Sequence, residues 1–173
     1  IIVEAPGELE RVARIASNRG ETARVGVRVN VAEQVKGFQM RMGGGPQQFG
    51  VDEEQIHSLL GQFNGHSSIR IVGVQVYAGT QTFDVGALVA HCHHVADLGA
   101  QMTDLLGYPL EFVDFGGGFG VPYYETSQEF NLQSFAAGYR SVVERCRADP
   151  RIGSAQLVVE LGRYLVAEAG LYV

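Results

Sequence analysis

The chain has 173 residues, of which 46% are hydrophobic and 18% charged, enough apolar material for one globular domain or part of one. Its net charge is −6 with no basic run, which speaks against nucleic-acid binding, and no apolar stretch approaches the roughly 20 residues of a membrane helix. Two cysteines, Cys92 and Cys146, make no disulfide framework and read as small buried hydrophobes of a reducing, cytoplasmic compartment.

In chain order, strand-like apolar runs alternate with amphipathic helices. Ile1-Ile2-Val3 is the first strand, and its position at the very start suggests a piece of something longer. Leu9, Val12, Ala13 and Ala16 then fall on one helical face. Val25 to Val29 forms the second strand, followed by a glycine-rich loop, Met42-Gly43-Gly44-Gly45-Pro46. Asp52 can cap a helix with the face Ile56, Leu59, Leu60 and Phe63. Residues 69–77 are a long β-type run, and Asp84 can cap a helix carrying Leu88, Cys92 and Val95. Residues 110–115 form the fourth strand. Asn131 precedes a helix stepping through Leu132, Phe135, Tyr139, Val142 and Cys146, and residues 156–161 form the fifth strand.

Five strands alternating with four helices imply parallel strands joined by crossover helices. The strands at 69–76 and 157–159 look apolar on both faces, as a covered parallel sheet requires. Both an open doubly wound sheet and a segment of a (β/α)8 barrel satisfy this pattern. In either, ligands bind at the carboxyl ends of the strands. Those ends carry Glu4; Arg28 and Asn30; Tyr77, Gly79, Thr80 and Gln81; Asp114 and Gly116-Gly117-Gly118; and Glu160, Gly162 and Arg163. Bare glycine N–H groups, a hydroxyl and a guanidinium suit a phosphate, although glycine clusters after strands are also plain turns. The dinucleotide fingerprint and the P-loop both fail on spacing. A carboxylate on a neighbouring strand end suits a cofactor that has a phosphate and a basic ring nitrogen, as pyridoxal phosphate has.

Longer motifs carry a resemblance. Asp114-Phe115-Gly116-Gly117-Gly118-Phe119 resembles the D-x-G-G-G-F motif of the fold-type III pyridoxal-phosphate decarboxylases, the diaminopimelate, ornithine and arginine decarboxylases. Glu160-Leu161-Gly162-Arg163-Tyr164 is similar to their E-P-G-R-Y, and residues 73–80 to their G-x-x-F-H-x-G-S. Val3-Glu4-Ala5, Arg28-Val29-Asn30 and Phe49-Gly50-Val51 match further family segments in the same order. The resemblance implies a partial (β/α)8 TIM barrel, strands four to eight with their helices. Residues 1–173 would then be a pyridoxal-phosphate-binding domain truncated at its N-terminal side and lacking the family's C-terminal β-domain. It implies that Gly116, Gly117, Gly118, Gly162, Arg163 and Thr80 hold the cofactor phosphate. Glu160 would pair with the pyridine nitrogen, Tyr77 would stack on the ring, and Arg28 would support Glu160 from beneath. It further implies an amino-acid decarboxylase, homodimeric in its full-length form and acting on a small-molecule substrate, with a non-catalytic homologue as the alternative.

Three residues depart from the family spelling: Tyr77 stands for histidine, Leu161 for proline and Gln48 for lysine. Together with M-G-G-G-P and E-L-G-R-Y-L-V they resemble a less typical branch. That branch includes decarboxylases tied to exosortase gene clusters and ones acting on carrier-protein-bound amino acids. Lys36 is the sole lysine and lies in the loop after the second strand, so the Schiff-base lysine is expected elsewhere, and the chain alone is expected to be inactive. His91, His93 and His94 read as a solvated helix face, Asp52-Glu53-Glu54 as helix N-terminal charge, and Tyr123 and Tyr124 as either lining or packing.

Overall fold

A computed structural model describes residues 1–31, 40–41 (backbone), 49–123 and 128–170. Lys36, Gln48, Tyr124 and the loop at 42–46 lie outside the described residues. In chain order the elements are β1 (Ile2–Val3), α1 (Pro6–Arg19), β2 (Ala23–Asn30), β3 (Met40–Arg41), β4 (Val51–Asp52), a 3-10 turn (Glu53–Gln55), α2 (Ile56–Phe63), β5 (Ile69–Val76), β6 (Gly79–Thr80), α3 (Val85–Leu106), β7 (Phe112–Gly117), α4 (Leu132–Ala148), β8 (Gln156–Glu160) and α5 (Gly162–Val166).

The five expected strands form one sheet in the order β1-β2-β5-β7-β8, every pair parallel. A doubly wound sheet reverses its strand order at a switch point. Here the order never reverses, so right-handed crossovers place the helices on one face, and the sheet is an arc of a barrel. The remaining strands are two residues each: β4 pairs with the end of β2, and β3 pairs antiparallel with β6.

The helix-facing side is the core. Leu9, Ala13 and Ala16 of α1, all four apolar positions of α2, and Phe135, Val142 and Cys146 of α4 are buried against it, while Leu132 is exposed. Asp84 caps α3 by accepting from the Ala87 N–H at 2.9 Å, and Asn131 caps α4 by accepting from the Ser134 N–H at 2.9 Å. Asp52 makes no such cap; its carboxylate accepts from Asn30 Nδ2 at 2.6 Å across the β2–β4 pair.

The solvated-face reading of the histidines fails for His91, which is buried. Its helix packs on β5 and β7 and is flanked by α2 and α4, so α3 is covered over a wider arc than one amphipathic stripe. His91 Nε2 lies 3.1 Å from the Phe115 carbonyl oxygen, and burial lowers the ring pKa to about 4. His94 instead pairs with Glu53 of the 3-10 turn. Cys92 and Cys146 are buried and free; burial pushes the Cys92 thiol up to about 12.

The other face of the sheet is not uniformly apolar. Gly26 of β2 and Gly73 of β5 are register partners, and the Phe112 ring lies over both. A Cβ at Gly26 would stand 2.6 Å from that ring and 2.6 Å from Ile2 Cδ1. Toward the strand ends this face turns polar, with Arg28, Gln75, Asp114 and Glu160. The edge strand β8 is only partly buried along its length.

Candidate cofactor site

Two adjoining cavities open at the carboxyl ends of the strands. One, of about 360 Å³, is lined by Tyr77, Thr80, Gly118, Glu160, Gly162 and Arg163, with Phe119, Leu161 and Tyr164 behind. The second, of about 440 Å³, is lined by Glu4, Arg28, Phe49, Gln75, Tyr77 and Glu160, with Ile2. Tyr77 and Glu160 belong to both. Six of the nine expected site residues therefore share one cavity, and Arg28 lines its neighbour.

Gly116 and Gly117 do not line either cavity, and their lack of a side chain has another cause. A Cβ at Gly116 would overlap the Val76 carbonyl oxygen and stand 3.2 Å from its carbon. A Cβ at Gly117 would overlap the Glu160 carbonyl oxygen and stand 2.9 Å from its carbon. Gly116 also has φ +68°, a region that favours glycine, and its N–H donates to Asp114 Oδ1 at 2.9 Å. These two glycines let β7 pass close to β5 and β8 where its register with β8 shifts. Gly162 is the opposite case: nothing stands within 4 Å of a Cβ there, so its side-chain position is open cavity.

The electrostatics of the site centre on Glu160. Burial raises its carboxyl above the ordinary carboxylate range, and the neighbouring Asp114 raises it further. Asp114 is itself raised, chiefly by burial. Gln75 Nε2 donates to Glu160 Oε1 at 3.5 Å. The Arg28 charge acts the other way and lowers the Glu160 carboxyl, though the guanidinium is tied elsewhere: its Nη1 donates to Glu4 Oε1 at 3.3 Å, and its carbon lies 5.7 Å from the Tyr77 ring centre and 5.5 Å from that of Phe49. Gln75 Oε1 and Glu4 Oε2, both buried, have no hydrogen-bond partner.

Sequence reasoning missed two parts of this arrangement. Gln75 lies within an apolar run, and only its alternation with Gly73 and Tyr77 marks the inner face. The Phe119–Phe130–Phe135–Tyr164 cluster behind the glycine loop, with Phe119 and Phe130 ring centres 4.6 Å apart, draws on segments far apart in the chain. Among the described residues no group of three or more His, Cys, Asp or Glu could hold a metal.

The cavity fits pyridoxal phosphate on these grounds. Its wall holds a guanidinium, a hydroxyl and two glycine backbones, one with an open side-chain position, the set a phosphate needs. The same wall holds the Glu160 carboxyl and the Tyr77 ring, which suit a basic ring nitrogen and a flat ring. The volume lies in the range of small-molecule sites.

Comparison with known proteins agrees. The family model described as pyridoxal-dependent decarboxylase, pyridoxal binding domain, matches residues 1–167. The chain is 31% identical over its whole length to an L-glutamyl-[BtrI acyl-carrier protein] decarboxylase of Niallia circulans, covering 40% of that protein. It is 26% identical over 99% of its length to a diaminopimelate decarboxylase of Aquifex aeolicus, covering 39% of it. Among solved structures, a Helicobacter pylori diaminopimelate decarboxylase complexed with L-lysine superposes with a TM-score of 0.75 at 26% identity, over 92% of this chain and 38% of that one. The chain thus spans about two fifths of the length of these relatives. It belongs to the pyridoxal-dependent decarboxylase family, whose cofactor is pyridoxal phosphate, and matches the family's pyridoxal-binding domain.

Proposed function

We propose that this chain is the cofactor-holding part of an enzyme that removes the α-carboxylate of an amino acid. The observation that carries the reading is the single cavity whose wall holds Arg163, Thr80, Tyr77 and Glu160 together. When bound, pyridoxal phosphate supplies an electron sink for the charge left on the α-carbon as carbon dioxide departs. Arg163, Thr80, Gly118 and Gly162 would hold the phosphate, the arginine through charge-assisted hydrogen bonds. Glu160 would hold a proton at the ring nitrogen. Its carboxylate is disfavoured by burial and by Asp114, so it gains strongly from a cationic N–H placed against it. Tyr77 would give the ring an aromatic surface, and Arg28, tied to Glu4, would keep that tyrosine in place. Gly116 and Gly117 would act through the backbone, bringing β7 close enough to β8 to aim Glu160.

The substrate reading we favour is an amino acid held on a carrier protein. It is supported by the 31% identity to a decarboxylase of a carrier-protein-linked glutamate, against 24–28% for the diaminopimelate and related decarboxylases compared with it. The test is carbon dioxide release by the full-length protein loaded with pyridoxal phosphate. Free diaminopimelate, lysine precursors and arginine are compared with glutamate thioesterified to a carrier protein. Turnover of the thioester alone supports the reading; turnover of a free amino acid alone removes it.

A further inference from the structure

The two loops that bring Thr80 and Gly118 to the cavity are joined by Gln81, which no motif assigns. Gln81 is the one non-glycine residue with positive φ among the described residues, at φ 59°. It is buried, and its amide makes a reciprocal pair with Val121: Nε2 donates to the Val121 carbonyl at 3.0 Å, and Oε1 accepts from the Val121 N–H at 2.8 Å. The next residue continues the seam. The Thr82 N–H donates to the Gly118 carbonyl at 3.0 Å, and the Gly120 N–H donates to the Thr82 carbonyl at 2.8 Å.

A glutamine in the left-handed region carries a backbone cost, and such strain persists only where surrounding contacts hold it. Here the two side-chain hydrogen bonds do so. The left-handed turn at Gln81 sits between Thr80, which lines the cavity, and Thr82, which is fully buried in the seam. Without it the chain would have to leave the seam for Thr80 to reach the cavity wall.

We infer that Gln81 is a positioning residue that sets the spacing between Thr80 and Gly118, and so the fit of the cavity to a phosphate group. This rests on the cofactor reading above, and deepens it: Gln81 touches no cofactor, but it registers the two loops that do. A residue that merely stabilised the fold would affect the binding of any ligand alike. A residue that registers the phosphate end should affect phosphate-bearing ligands selectively.

The experiment compares affinity for pyridoxal phosphate with affinity for pyridoxal, which lacks the phosphate, in the full-length protein and in two variants. Gln81→Gly keeps the left-handed turn and removes the clamp. Gln81→Asn tolerates the turn but is one methylene too short to span both Val121 groups. Each variant should lose about tenfold of the preference for the phosphorylated ligand, the scale of two neutral hydrogen bonds, with pyridoxal affinity nearly unchanged. An unchanged preference, or an equal fall in both affinities, would overturn the role. So would failure of both variants to fold, which would make Gln81 a core residue. The unaltered protein separates the two readings. If it shows no preference for the phosphorylated ligand, the cofactor site itself is misread. If it shows one that survives in both variants, only the role of Gln81 falls.

Discussion

Replacing Gly117 by alanine tests why the glycines are there. The added methyl would overlap the Glu160 carbonyl oxygen and stand 2.9 Å from its carbon, where ordinary contact begins at 3.4 Å. The obstacle is backbone, so no side-chain rotation relieves it, and the overlapping oxygen requires β8 to retreat by about 1 Å or more at the residue that aims Glu160. Extra methyls forced into packed structure cost roughly 1–3 kcal/mol. For a chain of this size that lowers the melting temperature by about 2–12 °C. A displacement of about 1 Å at a reacting group costs up to about a hundredfold in rate, which is the loss predicted here. Thermal unfolding followed by circular dichroism, and turnover of the full-length protein at saturating cofactor, read the two effects separately. A variant that melts and turns over like the unaltered protein would refute the claim that Gly117 exists to let β7 and β8 approach.

Acidification should destabilise the protein through His91. Its folded pKa is depressed to about 4, so the unfolded chain takes up the proton first as pH falls below 6.5. At about 1.36 kcal/mol per pH unit, roughly 3 kcal/mol is lost by pH 4, about 2 of it between pH 7 and pH 5. Urea unfolding at those two pH values measures the loss, and His91→Gln, which keeps a donor for the Phe115 carbonyl, should flatten it. Arg163→Ala should weaken pyridoxal phosphate binding about ten- to hundredfold through loss of a charge-assisted contact, while pyridoxal affinity changes little, as read by fluorescence titration. Gly61→Ala, on an exposed position of α2 with nothing within 4 Å of the new methyl, should stabilise the protein by about 0.5–1 kcal/mol in the same urea assay.

Periodicity was enough to place the four long helices and the five expected strands, because the helices bury one stripe and the strands are short apolar runs between them. Leu9, Ala13 and Ala16 step by three and four, and they are buried as that spacing requires. The choice between open sheet and barrel was not legible from periodicity, since both use the same alternation. It rests on strand order, a long-range property that local pattern does not encode. The two-residue strands are shorter than any period, and the tail Gly162–Val166 gives one helical turn where only a strand end is visible in the pattern. The glycine run after β7 was legible as a place of close approach, but what approaches was not. At Gly116 and Gly117 it is the neighbouring strands, and only Gly118 reaches the cavity. The family motifs located Glu160, Arg163 and Asp114, but not that Asp114 and Gln75 flank the Glu160 carboxyl, because that neighbourhood depends on sheet register. His91 was misread because a helix covered by two others has no solvated face at that position.

The central claim is that Glu160 serves the ring nitrogen of the cofactor, and Glu160→Gln in the full-length protein tests it most directly. Removing a partly desolvated carboxylate whose pKa is raised should make the cofactor-free protein more stable above the ordinary carboxylate range, where the unaltered carboxyl is forced to ionise, and neutral below it. Pyridoxal phosphate should still bind, since Arg163, Thr80 and the glycine backbones are untouched. Carbon dioxide release at saturating cofactor should fall to a small fraction, because the amide no longer holds a proton at the ring nitrogen. A Glu160→Gln protein that is saturated with cofactor and fully active would contradict the account.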